Sequence, residues 1–464
     1  MHTIALTGVT VIDATGRPPR PDMTLLIRGQ RIVALDRRAC LPVPPGVKIL
    51  DLPGKYVIPG LVDAHVHSIP SEQISPPLYL ANGVTTVREM SGTPLLHRWR
   101  AQVERGELLG PRSIIAGHII DGAPTIGDPA LFVEVATETQ ARQAVRQAKE
   151  EGADFVKVYS RLSGDLHRAI ADEARRQRIP FAGHCPDAVP LSSASAAGQL
   201  SIEHLYSTWY DTSTREQELR ARIAELKIGR GDFVTWLREV HRLEWDSVTS
   251  YSPRKAAAVF ATLSRNRTRV VPTLVVYGVL DRPDDVVLTD ERLAYVPVSA
   301  TEGWRWALDN IIKAGRTPEE TAQRRALLDR RLDFVGELDR AGVPVLAGTD
   351  AGDLPFVIPG FSLHDELASL VRAGLSPMRA LQAATIEPAR MFGLADSLGT
   401  VEPGKIADLV VLDADPLADI RNTTRIHTVL VRGRCISPEQ RARMLADVAS
   451  AAAAEPTEPN PAGR

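Results

Sequence analysis

Apolar and polar positions along the chain fall into three regimes. Residues 4–50 carry short β-rich runs, such as Val9-Thr10-Val11-Ile12 and Leu25-Leu26-Ile27, broken by turn residues. The same texture returns at residues 407–413 and 428–434. Between them, apolar runs of strand length alternate with amphipathic helical stretches, the pattern of a parallel sheet with crossover helices. Strands are expected at 57–63, 113–116, 155–159, 179–184, 270–274 and 343–347. The fold class expected is α/β: a (β/α)8 TIM-like barrel over 59–400, with a small β-sandwich domain built from both chain ends, 1–58 and 401–437. A C-terminal helix and a loose tail, beginning near residue 451, are expected over 438–464.

One stretch breaks the rhythm. Residues 209–255 are charged, contain Trp209, Trp236 and Trp245, and read as helices inserted after a barrel strand. Trp304 and Trp306 add aromatic surface on a later helical run. Lid, subunit contact and ordinary outer packing all suit these features.

Composition narrows the function classes. Hydrophobic residues make up 44% of the 464 positions and charged residues 24%, a globular balance. The 55 basic and 57 acidic side chains leave a net charge of -2, so no global field points to nucleic acid or to an acidic membrane. The first residues lack a basic leader with an apolar core, and no run of membrane-spanning length follows. Three scattered cysteines, Cys40, Cys185 and Cys435, suit a reducing compartment. A soluble, cytoplasmic protein that forms a homo-oligomer is expected.

Ionisable residues gather at the carboxyl ends of the expected strands, where barrel enzymes assemble their sites. His65 and His67 lie two apart on an extended segment, so both imidazoles share a face and suit one metal ion. Lys157 sits in the apolar run Phe155-Val156-Lys157-Val158, where an ammonium is costly unless paired or neutralised. A neutral amine there can instead take up carbon dioxide as a carbamate. A buried partner acid and a solvent-facing strand end are the other readings. His184 and His204 each end a short apolar run, and Asp350 ends another, beside glycines that also suit a turn. Tyr159 shares the strand face of Lys157. Arg88, Arg161, His118, Tyr206, Tyr277 and His364 complete the candidate substrate contacts.

The ordered set His65, His67, Lys157, His184, His204 and Asp350 resembles the metal-ligand series of the amidohydrolase superfamily. The segments Ala81-Asn82-Gly83-Val84-Thr85-Thr86, Ile202-Glu203-His204 and Gly399-Thr400-Val401-Glu402-Pro403-Gly404 look like its imidazolonepropionase-like branch, which includes binuclear Xaa-Pro dipeptidases. The resemblance implies two divalent metal ions, expected to be zinc. His65, His67 and Asp350 would hold one, His184 and His204 the other, with carboxylated Lys157 bridging. It further implies hydrolysis of an amide-type C–N bond, with Asp350 moving the proton, in an N-acyl amino acid or short peptide. A cyclic amide or imide, a mononuclear deaminase and a non-enzymatic binding protein are the alternatives. Those peptidases often carry a Gly-Gly-His segment where this chain has Ala116-Gly117-His118, so the role of His118 is open.

Overall fold

Gly60 divides what the sequence presents as a single apolar run. In the computed structural model, which describes residues 3–455, the strand Tyr56–Pro59 lies beside Thr3–Val11 and runs antiparallel to Leu409–Leu412. Leu61–Val66 instead pairs in parallel with Val84–Glu89 and opens a second sheet. A Cβ at position 60 would fall 2.2 Å from Thr85 Oγ1, so the passage between the sheets requires glycine. The single strand expected at 57–63 is therefore two. Both halves are buried, so the apolar pattern runs through the junction unbroken.

The first sheet joins both chain ends, as expected. Arg434–Ile436, Ile426–Val431 and Leu409–Leu412 continue through Tyr56–Pro59 to Thr3–Val11, Arg20–Arg28 and Arg31–Arg37, with Lys48–Asp51 paired to Thr3–Val11. Its core comes from alternate positions, Val9 with Val11, Leu25 with Ile27, and Leu409 with Val411.

The second sheet is the barrel. Its parallel neighbours run Leu61–Val66, Val84–Glu89, Arg112–Gly122, Phe155–Val158, Phe181–Gly183, Ser201–Glu203 and Arg269–Val271. Residues 343–351 close the ring with single bridges instead of a continuous strand ladder. Val270 and Val345 form one bridge, Val66 and Ala351 another, and Ala64 N donates to Ala347 O at 3.0 Å. Thr349 adds two bonds across the seam, from N to Asp63 Oδ1 at 3.0 Å and from Oγ1 to Asp63 Oδ2 at 2.7 Å.

Three helices, Thr208–Thr212, Glu216–Glu225 and Phe233–Thr249, occupy the stretch that broke the rhythm. Asp232 caps the third by accepting from Thr235 N. Its buried stripe, Trp236, Leu237, Val240, Leu243 and Glu244, has helical spacing and faces the barrel rim. Trp236 Nε1 donates to Asp187 Oδ2 at 2.9 Å, pinning the helix there. The last helix, Pro438–Ala454, runs beyond the residue-451 start expected for the tail, because its alanines are strong helix formers and Val448 and Ala452 pack on Ile74 and Leu78. Residues 456–464 of that tail lie outside the described residues. No helix among the described residues is long and apolar enough to cross a membrane.

Candidate active site

Strand ends bring the six predicted ligands to one mouth. His65 and His67 leave Leu61–Val66, Lys157 sits on Phe155–Val158, His184 and His204 follow Phe181–Gly183 and Ser201–Glu203, and Asp350 lies on the closing segment. His204 and Asp350 both hold φ near 63°, in the left-handed region. Such a backbone costs a non-glycine residue about 1–3 kcal/mol, and that cost persists where the surroundings dictate a side-chain position.

Each imidazole is anchored through Nδ1. His65 Nδ1 donates to Glu203 Oε2 at 2.8 Å, since an ionised carboxylate can only accept. Nδ1 of His67, His184 and His204 meets Ser91 Oγ at 3.2 Å, Ser160 Oγ at 2.8 Å and Thr273 Oγ1 at 2.7 Å. With Nδ1 so engaged, three Nε2 atoms face the Asp350 carboxylate: His65 at 3.0 Å and His67 at 3.4 Å from Oδ1, and His204 at 3.9 Å from Oδ2. Burial lowers the pKa of His67 and of His204 to about 3 and that of His184 well below its usual value. Near neutral pH these rings are uncharged and offer lone pairs. Lone pairs on several sides of one carboxylate leave His65 Nε2 and Asp350 Oδ1 buried without a well-formed hydrogen bond. A cation among them satisfies every atom, so the donor set fits a metal.

Lys157 is buried at 1% exposure, with no carboxylate in salt-bridge range among the described residues. Burial lowers its pKa to about 8, against the opposing pull of Glu203 and Asp350.

Arg88, expected to contact substrate, does something else. Its Nη2 donates to Glu203 Oε1 at 2.7 Å and its Nη1 to Ser201 Oγ at 2.9 Å, inside the barrel beneath the imidazoles. Burial pushes the Glu203 carboxyl up, but Arg88 and His65 overcome this and keep it ionised. Arg88 therefore orients His65 through Glu203. Glu203, which the sequence presents only as a flank of His204, can point into the barrel alongside its neighbour because the backbone turns left-handed at His204 and breaks the strand alternation.

Tyr159 and Tyr206 line the cavity above the histidines, which measures about 920 Å³. The other substrate candidates do not. His118 alternates with the cavity-lining Ile119 and so points outward, with Nδ1 3.4 Å from Glu151 Oε2. The Tyr277 hydroxyl accepts from Leu205 N at 2.7 Å, and Arg331 stacks over its ring. His364 uses both ring nitrogens, on Thr423 and on the Asn82 carbonyl. Arg161 lies outside the cavity wall, its backbone N donating to Asp121. Missed at the sequence level were Phe233, Trp304 and Leu354 of the cavity wall, and Asp353, whose carboxylate approaches His67 and Asp350.

Four imidazoles, a lysine and an aspartate converging at the carboxyl end of a β/α barrel define a barrel hydrolase. The chain belongs to the amidohydrolase family, whose profile matches residues 56–436. An uncharacterised protein of Mycobacterium tuberculosis is 34% identical over 393 residues, 83% of this chain and 86% of that protein. An adenine deaminase of Rubrobacter xylanophilus is 21% identical over 427 residues, 90% of this chain, which spans only 55% of the deaminase. Bottromycin amidohydrolase superposes with a TM-score of 0.74 at 26% identity, covering 97% of this chain and 90% of its own. A Xaa-Pro dipeptidase with bound methionine shares the fold, with a TM-score of 0.67 at 20% identity over 94% of this chain and all of that one.

Proposed function

We propose that the chain is a metal-dependent hydrolase that cleaves an amide-type C–N bond. The observation that carries this reading is the set of anchored imidazoles whose free Nε2 atoms close on Asp350. His65, His67 and Asp350 would hold one divalent ion and His184 and His204 a second, with Lys157 as the bridging carbamate and zinc as the metal. A pKa near 8 supports the lysine role, because only the neutral amine reacts with carbon dioxide. When bound, the ions supply Lewis acidity at the scissile carbonyl and lower the pKa of water.

The chain's own residues do the rest. Asp350 takes the proton of the attacking water and returns it to the leaving nitrogen. Burial keeps the Tyr159 and Tyr206 hydroxyls protonated, ready to donate to the carbonyl oxygen. Ile126, Phe132, Phe233 and Trp304 offer apolar walls, whereas among the described residues no arginine lines the cavity. The substrate we propose is an N-acylated amino acid or short peptide recognised through a bulky apolar group. Neither Arg88 nor Arg161, both candidate substrate contacts from the sequence, lines that cavity, so no clamp for a free substrate carboxylate is proposed.

Elemental analysis of protein purified without chelator, with mass spectrometry of the intact chain under mild conditions, tests the centre. Two ions per chain and a carboxylated lysine are expected. One ion with an unmodified Lys157 would refute the binuclear form. An amide library then tests the substrate: free acids and their carboxamides should turn over alike, and apolar acyl groups should lower KM.

A further inference from the structure

A second cavity of about 110 Å³ lies in the helical insertion, outside the site described above. It sits between the helix Phe233–Thr249, the turn at 311–316 and the first turns of the helix Pro318–Arg340. Around Arg324, which lines it, charge is balanced. Arg331 donates to Glu244 Oε2 at 2.8 Å and to Asp281 Oδ2 at 3.0 Å, while Arg324 donates to Glu244 Oε2 at 3.1 Å and pairs with Asp281. Two buried guanidinium groups thus meet two buried carboxylates.

The wall above is not balanced. Half-buried Arg316 donates Nη2 to Leu280 O at 2.8 Å, but its Nη1 is buried without a partner. Arg238 reaches only Ala314 O, at 3.3 Å. Among the described residues, no carboxylate comes within salt-bridge distance of either arginine. Glu320, the one acid in the lining, is already engaged by Thr317 N and Arg242. His241, only 9% exposed, has an Nε2 with no partner, as does the Nε of Arg324. Burial, and then Arg324, Arg331 and Arg316, keep the His241 ring uncharged. Unsatisfied donors beside excess positive charge are costly unless an anion completes them.

We propose that this cavity binds a small oxyanion, a carboxylate or a phosphate, held by Arg316 with Arg324 Nε and His241 Nε2. Charge-assisted bonds from a guanidinium suit both anions. Leu237, Leu280, Ile311 and Ile312 line this cavity and the catalytic one, so the anion rests one side-chain layer behind the substrate wall. The site is independent of the reaction assigned to the barrel mouth.

Calorimetric titration of the metal-loaded protein with inorganic phosphate and, separately, with butyrate reads the affinity in wild type, Arg316→Lys and Arg316→Met. Anion binding at the metals is common to all three and subtracts out. Arg316→Met is expected to weaken the preferred anion roughly ten- to hundredfold, the scale of one or two charged hydrogen bonds, with Arg316→Lys in between. Whichever anion binds more tightly identifies the source. Crystals soaked in selenate should show anomalous density beside Arg316. Should Arg316→Met not fold, His241→Phe, which fills the cavity without changing charge, is expected to abolish the same binding. Selenate confined to the barrel mouth, equal affinity in wild type and the folded variant, or no binding of either anion would overturn the proposal.

Discussion

At the residue scale the site is a problem of orientation. Glu203 and three hydroxyls fix the four imidazoles by Nδ1, so ring rotation is restricted before any substrate arrives. Asp350 faces three of these rings and can carry a proton. Asp350→Asn is expected to keep the fold and most of the metal while lowering turnover by about 10²–10⁴, the usual share of general acid–base assistance. Steady-state rates on protein of known metal content check this, and near-normal turnover would remove Asp350 from the proton path. The convergence of these six residues at one mouth was legible in the sequence because strand-end position and residue type are local properties. The role of Arg88 was not. Its guanidinium meets Ser201 and Glu203, more than a hundred positions away along the chain, and nothing local distinguishes an arginine that binds substrate from one that supports a ligand.

Among the elements, the helix Phe233–Thr249 links the barrel rim to both cavities. Trp236 is its anchor, fully buried, bonded to Asp187 and edge-on to Tyr206 with ring centroids 5.6 Å apart. Trp236→Phe keeps much of the packing but strands a buried carboxylate, at a cost of about 1–3 kcal/mol. Faster amide exchange across residues 233–249 and a lower denaturation midpoint are expected, with metal content unchanged. Asp187→Asn still accepts the indole proton and should be markedly milder. If the two variants destabilise equally, the hydrogen bond is not the anchor. The sequence located this insertion through its tryptophans and broken rhythm. It did not disclose that the insertion walls a cavity, because that depends on the docking of helices distant along the chain. The division at Gly60 stayed hidden for a related reason: apolar alternation reports burial, not which sheet does the burying.

For the whole molecule, buried carboxyls tie stability to pH. Burial raises the Glu366 carboxyl from 4.5 to about 8, while Val275 N donates to its Oε2 at 2.9 Å. Between those values the folded chain keeps a proton that the unfolded chain releases, so this group makes stability fall as pH rises from about 4.5 to 8. Glu366→Gln removes that titration and should flatten the decline, by an amount on the order of 1–4 kcal/mol across the window. Chemical denaturation at pH 5 and pH 8 measures it. An unchanged slope would place the proton elsewhere.

The closing segment, 343–351, also sets an order of events during synthesis. Asp63 and Thr349 join across the seam from positions 286 residues apart, and Asp350 follows directly. A chain emerging from the ribosome amino end first displays His65 and His67 long before the aspartate that faces them has been made. Until then, the paired histidines have no carboxylate from the seam to discriminate among cations. For a metal held as proposed, selectivity would therefore belong to the finished barrel, and loading would be a late step, made when the last stave locks against the first.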